Sequence, residues 1–340
     1  MSERILLIQT AFLGDAILTL PLIQEIKKKY KDHFIDVVTI ESNKEIFTAS
    51  PFVDDVIILD KRKKHHSVFA LKRFADQIKK RNYSVLFAPH RSLRTSLLSL
   101  FLEIPESYGF NNAAFSFIYK NVITYDHRLH EVERNLSLIN NSIEIKKELP
   151  LLKIDDEIKS KIDLFFQQLP EDKKVVAIAP GTVWETKRYP EKSFVEVIDY
   201  LIKKNYFILL IGSKKEFELC NRIKSNFQSG VENSAGSFSI LESIELLKRC
   251  DLLITNDSAP THFGMCADLP VLTIYCSTIP GFGFYPYNKK STHITLIDLF
   301  CKPCGIHGFN KCPLNHFNCG NKLMSSLVLE KVEEILNEKH

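Results

Sequence analysis

The pattern that constrains this chain most is an alternation that runs, stops and starts again. Four short β-rich runs, RILLIQ (4–9), FIDVVTI (34–40), DVIILD (55–60) and SVLFAP (84–89), alternate with helical stretches such as TLPLIQEIKKKY (19–30) and VFALKRFADQIKKRN (68–82). In those stretches apolar residues recur about every 3.6 positions. Continuous apolar strands alternating with helices call for a parallel sheet covered on both faces. The segment IKKELPLLKIDDEIKSK (145–161) then turns charged and proline-bearing, and reads as a connection.

After it the alternation resumes. KVVAIAPGT (174–182), YFILLIGS (206–213), DLLITND (251–257) and PVLTIY (270–275) read as strands. EKSFVEVIDYLIKKN (191–205), SILESIELLKRC (239–250), with Ser239 as its cap, and SSLVLEKVEEILNEK (325–339) read as helices. The expectation is an α/β protein built of two Rossmann-like domains in series, and 340 residues suit two domains of about 150 each. Ligands of such sheets bind at the carboxyl ends of the strands, so the natural site is a central cleft between the two domains.

Composition agrees with a globular chain: 45% hydrophobic and 25% charged. No run approaches about 18 consecutive apolar residues, which argues against a transmembrane helix. The start MSERILLIQTAFLGD carries only a four-residue apolar run without a small-residue cleavage site, so it reads as a buried strand of a cytoplasmic protein rather than a secretion signal. Residues 1–150 hold 22 Lys and Arg against 18 Asp and Glu, and the remainder 23 against 23. The basic excess therefore sits in the first half, densest in KRKKHH (61–66) and HRSLR (90–94), and suits an anionic partner or a solvated loop.

Several nucleotide motifs are missing. G-x-G-x-x-G does not occur, which weakens a dinucleotide-dependent oxidoreductase; G-x-x-x-x-G-K-[ST] and D-x-D are absent too. What remains is a set of loops after strands. TAFLGDA places Asp15 after Gly14, where a nucleotide-binding loop would carry glycine; it is a helix cap or a reacting carboxylate. APGTVWETKRYPEKSF (179–194) combines Gly181, Thr182 and Val183 with Lys187 and Arg188, small residues and a cation that complement a phosphate. IGSKKEFE (211–218) offers Glu216 to ribose hydroxyls or to a helix dipole. LLITNDSAPTHFGMCADLPVLTIY (252–275) crowds Asn256, Asp257, Ser258, Thr261 and His262 at the end of a buried strand, a costly placement unless those groups are used or fully bonded.

FLGDAILTLP, PGTVWETKRYP and TNDSAPTHFGMCADLPVLTIY, in this order, resemble the ADP-heptose:lipopolysaccharide heptosyltransferases of glycosyltransferase family 9. APHRSLRTSLL (88–98) is similar to that family's acceptor-side segment and HEVERNLSLI (130–139) to its domain-closing helix. The tail CKPCGIHGFNKCPLNHFNC resembles the heptosyltransferase II branch. The resemblance spans essentially the whole chain. It implies a GT-B fold: an acceptor domain over 1–155, a donor domain over 156–322 and a last helix, 323–340, packing back on the first domain.

The same resemblance implies roles. Asp15 matches the catalytic base, with Gly14, Arg91 and Arg94 on the acceptor side. Thr182, Val183 and Lys187 match the donor's diphosphate site, where Val183 replaces a common hydroxyl and leaves only its backbone to bind. Glu216 matches the ribose acid and Phe238 the apolar partner of adenine. Asp257, Ser258, Ala259 and His262 match the donor loop, with Ala259 where glycine is common. The implied reaction is an inverting, metal-independent transfer of heptose from ADP-heptose to the lipopolysaccharide inner core, with Lys187 stabilising the leaving ADP. The implied setting is the inner face of the inner membrane, through peripheral contact with its anionic surface and without nucleic acid.

Alternatives are another nucleotide sugar, a protein or other glycan acceptor, or a nucleotide-sugar-binding protein without catalysis. Of eight cysteines, Cys220, Cys250, Cys266 and Cys276 read as reduced core residues. Cys301, Cys304, Cys312 and Cys319, with His307 and His316 nearby, read as a candidate structural zinc site.

Overall fold

The structure is a computed structural model that describes residues 3–139 and 148–337. Residues 145–147 of the expected connection and 338–339 of the expected last helix lie outside that range. The chain divides into two compact units, Met1–Lys153 and Ile154–His340.

Each unit holds a six-stranded parallel sheet. The first comprises β1 (Arg4–Ile8), β2 (Phe34–Thr39), β3 (Asp55–Ile58), β4 (Tyr83–Ala88), β5 (Glu106–Phe110) and β6 (Asn121–Ile123), in the order β3-β2-β1-β4-β5-β6. The second comprises β7 (Lys174–Ala179), β8 (Tyr206–Leu210), β9 (Val231–Asn233), β10 (Leu252–Asn256), β11 (Val271–Tyr275) and β12 (Thr292–Thr295), in the order β12-β11-β10-β7-β8-β9. The central strands are the apolar runs read from the sequence, because only a strand covered on both faces can bury Ile5 to Ile8 of RILLI or every side chain of LLITN. The acid in β2 is no exception: buried Asp36 accepts from Arg4, from Arg81 at 2.9 Å and from the Tyr83 hydroxyl at 2.7 Å.

Four strands escaped the sequence reading. β6, β9 and β12 are three- or four-residue edge strands with little apolar pattern, as edges tolerate. β5, ESYGF, carries Gly109 because a Cβ there would stand 2.3 Å from the Tyr119 ring. The last helix, Ser325–Asn337, belongs to the second unit: Val328, Val332 and Ile335 join Phe194, Val197 and Leu201 of helix Glu191–Lys203 in one core. Its apolar stripe completes that core, and Tyr189 in the same cluster donates to Leu323 O at 2.8 Å.

Candidate active site

In both sheets the strand order reverses once, between β1 and β4 in the first unit and between β7 and β10 in the second. Loops leaving the two strands at such a point run to opposite faces and open a crevice at the carboxyl edge. Most of the candidate residues lie on those four loops.

In the first unit Asp15 sits in the opening turn of helix Leu13–Lys29, whose N-cap, Phe12, contributes no side-chain cap. The Asp15 carboxyl takes backbone hydrogen bonds at this helix start, so it does part of a capping residue's work. Burial outweighs them. Desolvation first and the neighbouring carboxylate of Glu131 second push the Asp15 pKa up to about 7, against the pull of Arg91. Gly14 precedes it in the same turn.

Arg91, on the loop after β4, lies with its guanidinium 3.8 Å from the centroid of the Tyr125 ring. The Tyr125 hydroxyl donates to Glu131 Oε2 at 2.7 Å, and Arg134 donates to the same oxygen at 2.9 Å. Glu131 and Arg134 are both buried, three residues apart on helix Glu131–Ser137. Sequence reading passed over Glu131 and Tyr125; the signal was the acid–base pair spaced on one helical face in HEVERN. His90 links the two loops, its Nδ1 2.9 Å from Thr10 Oγ1, and burial lowers its pKa to about 4, so its imidazole is neutral.

Arg94 has a different place from Arg91. Its guanidinium donates to the carbonyls of His65 at 2.5 Å and His66 at 3.1 Å. The KRKKHH loop is thus an organised turn: Asp60 accepts from the amides of Arg62 and Lys63, and Lys61 donates to Thr10 O at 2.6 Å. The geometry makes Arg94 a brace for this basic loop, while Arg91 has no carboxylate in ion-pair distance among the described residues.

In the second unit two loops are tied together by buried Asn256, which accepts from Tyr189 N at 2.8 Å and donates to Pro180 O at 2.8 Å. Lys187, at the end of the short 3-10 turn Glu185–Lys187, pairs with Asp257 just beyond β10 at 2.6 Å. Thr278 donates to the same Asp257 oxygen at 2.7 Å, a partner the sequence did not suggest. His262 is buried one turn into helix Ala259–Cys266 beside this pair, and desolvation lowers its pKa to about 4. Its Nδ1, like Ser277 Oγ and Tyr275 OH, has no hydrogen-bond partner among the described residues. Buried orphans of this kind are costly and suit a polar ligand. Ser258 stands at the N-cap position of that helix in an extended conformation, with no side-chain capping bond, and Ala259 opens it.

Thr182 is buried, and its hydroxyl donates to Trp184 O at 2.6 Å and accepts from Trp184 N at 3.1 Å, so it shapes the turn. Val183 at the tip is 81% exposed and offers its backbone. Glu216 closes a capping box with Ser213 and lies over two glycines: a Cβ on Gly181 would stand 2.1 Å from Glu216 Oε1, and one on Gly212 2.9 Å from Oε2. Phe238 packs edge-on against Phe165 at 5.1 Å.

The candidate zinc site of the cysteine tail is not assembled among the described residues. Cys301 Sγ lies 4.0 Å from His316 Nε2, and Cys304 Sγ donates to Cys301 O. Among the described residues no three His, Cys, Asp or Glu side chains are placed to hold a metal ion. Burial pushes the Cys319 thiol up to about 11. A cavity of about 370 Å³ between Arg188, Glu191, Lys311, Cys312 and Phe317 includes neither Lys187 nor Asp257.

The family model "Glycosyltransferase family 9 (heptosyltransferase)" matches residues 71–308. Among curated relatives, lipooligosaccharide heptosyltransferase 2 of Campylobacter jejuni serotype O:2 is 24% identical over 333 residues, covering 97% of each chain. Among solved structures, a family 9 glycosyl transferase from Veillonella parvula superposes with a TM-score of 0.88 at 21% identity, covering 99% of this chain and 98% of that one. The ADP-heptose LPS heptosyltransferase II of Escherichia coli gives 0.81 at 21% identity, covering 99% of both. The two reversed sheets are thus the GT-B arrangement of those structures, and the chain belongs to glycosyltransferase family 9, the heptosyltransferases.

Proposed function

We propose that this protein moves heptose from ADP-heptose to a hydroxyl of the lipopolysaccharide inner core, with inversion and without a metal in the chemical step. The names of its relatives support the donor and the acceptor class. The observation that carries the mechanism is Asp15, a carboxylate at the reversal point of the first sheet whose pKa stands near 7. A general base works best when its pKa lies near the operating pH.

Asp15 takes the proton of the acceptor hydroxyl as that oxygen attacks the anomeric carbon from the face opposite the diphosphate. The C–O bond to ADP breaks with its electron pair going to the phosphate oxygen. Lys187 and the backbone amides of Ser258 and Ala259, at the start of helix Ala259–Cys266, meet that growing charge, a role that elsewhere falls to a divalent ion. Glu216 accepts from the ribose hydroxyls, and Phe238 offers an apolar face to adenine. Arg91, without an ion-paired carboxylate among the described residues, binds an anionic group of the acceptor, and the braced 61–66 loop adds positive potential toward phosphorylated sugars and an anionic membrane face. The setting is the cytoplasmic face of the inner membrane; no described helix is long and apolar enough to cross a membrane.

The test is Asp15→Asn, which keeps shape and removes the base. Turnover with ADP-heptose and a core acceptor should fall about 10²–10⁴-fold, with ADP affinity unchanged. Turnover near the wild-type value would reduce Asp15 to its capping bonds.

A further inference from the structure

The cysteine-rich tail has a use that its thiols do not explain. Residues 304–309 run against the loop that carries Lys187 and are fastened to it. Thr186, buried at 3% exposure, donates its amide to Phe309 O at 3.0 Å, and its hydroxyl oxygen accepts from Phe309 N at 2.8 Å. At the other end of the segment Cys304 N donates to Ser277 O at 2.9 Å. Between these fastenings Gly308 has φ +79°, and a Cβ there would stand 3.0 Å from Thr186 Oγ1, 3.1 Å from Lys187 Cγ and 3.1 Å from Ser277 Oγ. Backbone therefore lies directly on the Lys187 stem and on a buried hydroxyl that lacks a partner among the described residues. The next residue back, His307, is exposed and lies within electrostatic reach of both Lys187 and Asp257.

We propose that this strap, residues 304–309, is a working wall of the nucleotide-sugar site: clasped through Thr186, it holds Lys187 beside Asp257 and brings His307 to the donor's diphosphate. Thr186 and Gly308 are positioning residues in this scheme, and His307 a donor-contacting one. The proposal rests on the reading that Lys187 binds the diphosphate. A short polar segment crossing a catalytic loop, with a left-handed glycine at the point of closest approach, is what such a wall requires.

Calorimetric binding of ADP to the full chain tests it, paired with donor and acceptor KM values. Thr186→Val deletes the clasp's acceptor and should weaken ADP about tenfold, whereas Thr186→Ser keeps the hydroxyl and should bind as the wild type does. His307→Ala, on the surface, should weaken ADP about fivefold. Donor KM should rise in Thr186→Val while acceptor KM and the thermal midpoint hold. Wild-type ADP affinity in both Thr186→Val and His307→Ala would overturn the proposal, as would a Thr186→Ser defect equal to that of valine. If Thr186→Val fails to fold, Gly308→Ala with His307→Ala decides, and wild-type affinity in both overturns it. Lys187→Ala separates the two levels: unchanged ADP affinity there defeats the donor-site reading itself, whereas a loss there without a loss at Thr186 and His307 defeats only the strap.

Discussion

Lys187 Nζ stands 2.6 Å from Asp257 Oδ2, joining the loops that leave β7 and β10 where the second sheet reverses. Both side chains are largely buried, at 13% and 14% exposure. A pair this sheltered costs desolvation on both sides and is justified by what it positions as much as by its own stability. Asp257 keeps the ammonium in place, and Thr278 fixes Asp257 in turn. If the donor's phosphates bind here as proposed, replacing Lys187 with Ala removes the cation and leaves a negative group facing them. ADP affinity should drop about 10–100-fold, read by titration calorimetry, and the chemical step should slow with it.

As the proposed base, Asp15 would give the reaction a defined pH profile. The base must be ionised, so kcat/KM should climb with pH along a limb whose apparent pKa is about 7. Glu131 raises that value and Arg91 and the helix-start amides lower it. Glu131→Gln keeps an oxygen for Arg134 and Tyr125 while removing the negative charge, so the limb should move to lower pH. An unmoved limb would mean that Glu131 is only a packing partner of Arg134.

The same shift predicts a stability cost. Asp15 titrates near 3.8 as a free carboxyl and near 7 in the fold, so the fold prefers its protonated form. The stability this confers is fully present below about pH 4 and is lost as pH rises through about 7. Asp15→Asn cannot ionise and should therefore gain on the wild type at pH 8 while differing little at pH 4. Each kcal/mol recovered appears as about 2–4 °C in the thermal midpoint of a domain this size. Equal midpoints at both pH values would show that Asp15 is solvated and not tuned.

Much of this arrangement is legible in the sequence because it rests on local patterns. Apolar runs gave the central strands, and polar density after LLIT pointed to Asp257 and His262. Contacts between distant segments were not legible. Glu131 acts on Asp15 from a helix more than a hundred residues away, and Thr278 reaches Asp257 from beyond β11. Arg94 shows the opposite limit: its charge suggested a ligand contact, and only the fold reveals that the carbonyls of His65 and His66 occupy it. The last helix shows the same limit: Val328, Val332 and Ile335 define an apolar stripe, and only the fold shows that it joins the core of Phe194, Val197 and Leu201.

Gly181 offers a test of the ribose acid that leaves the core untouched. An added Cβ would come 2.1 Å from Glu216 Oε1 and 2.4 Å from its Cδ, atoms near the end of a side chain that can swing aside. Gly181→Ala should therefore fold with a thermal midpoint near the wild type's, while displacing the carboxylate from the place proposed to meet the nucleotide. ADP affinity should fall about tenfold, the loss expected for one charged hydrogen bond. Glu216→Gln, which stays seated over the glycines but loses its charge, should cost less than Gly181→Ala. If Gly181→Ala binds ADP normally, Glu216 serves its capping box with Ser213 and the ribose contact belongs to another group.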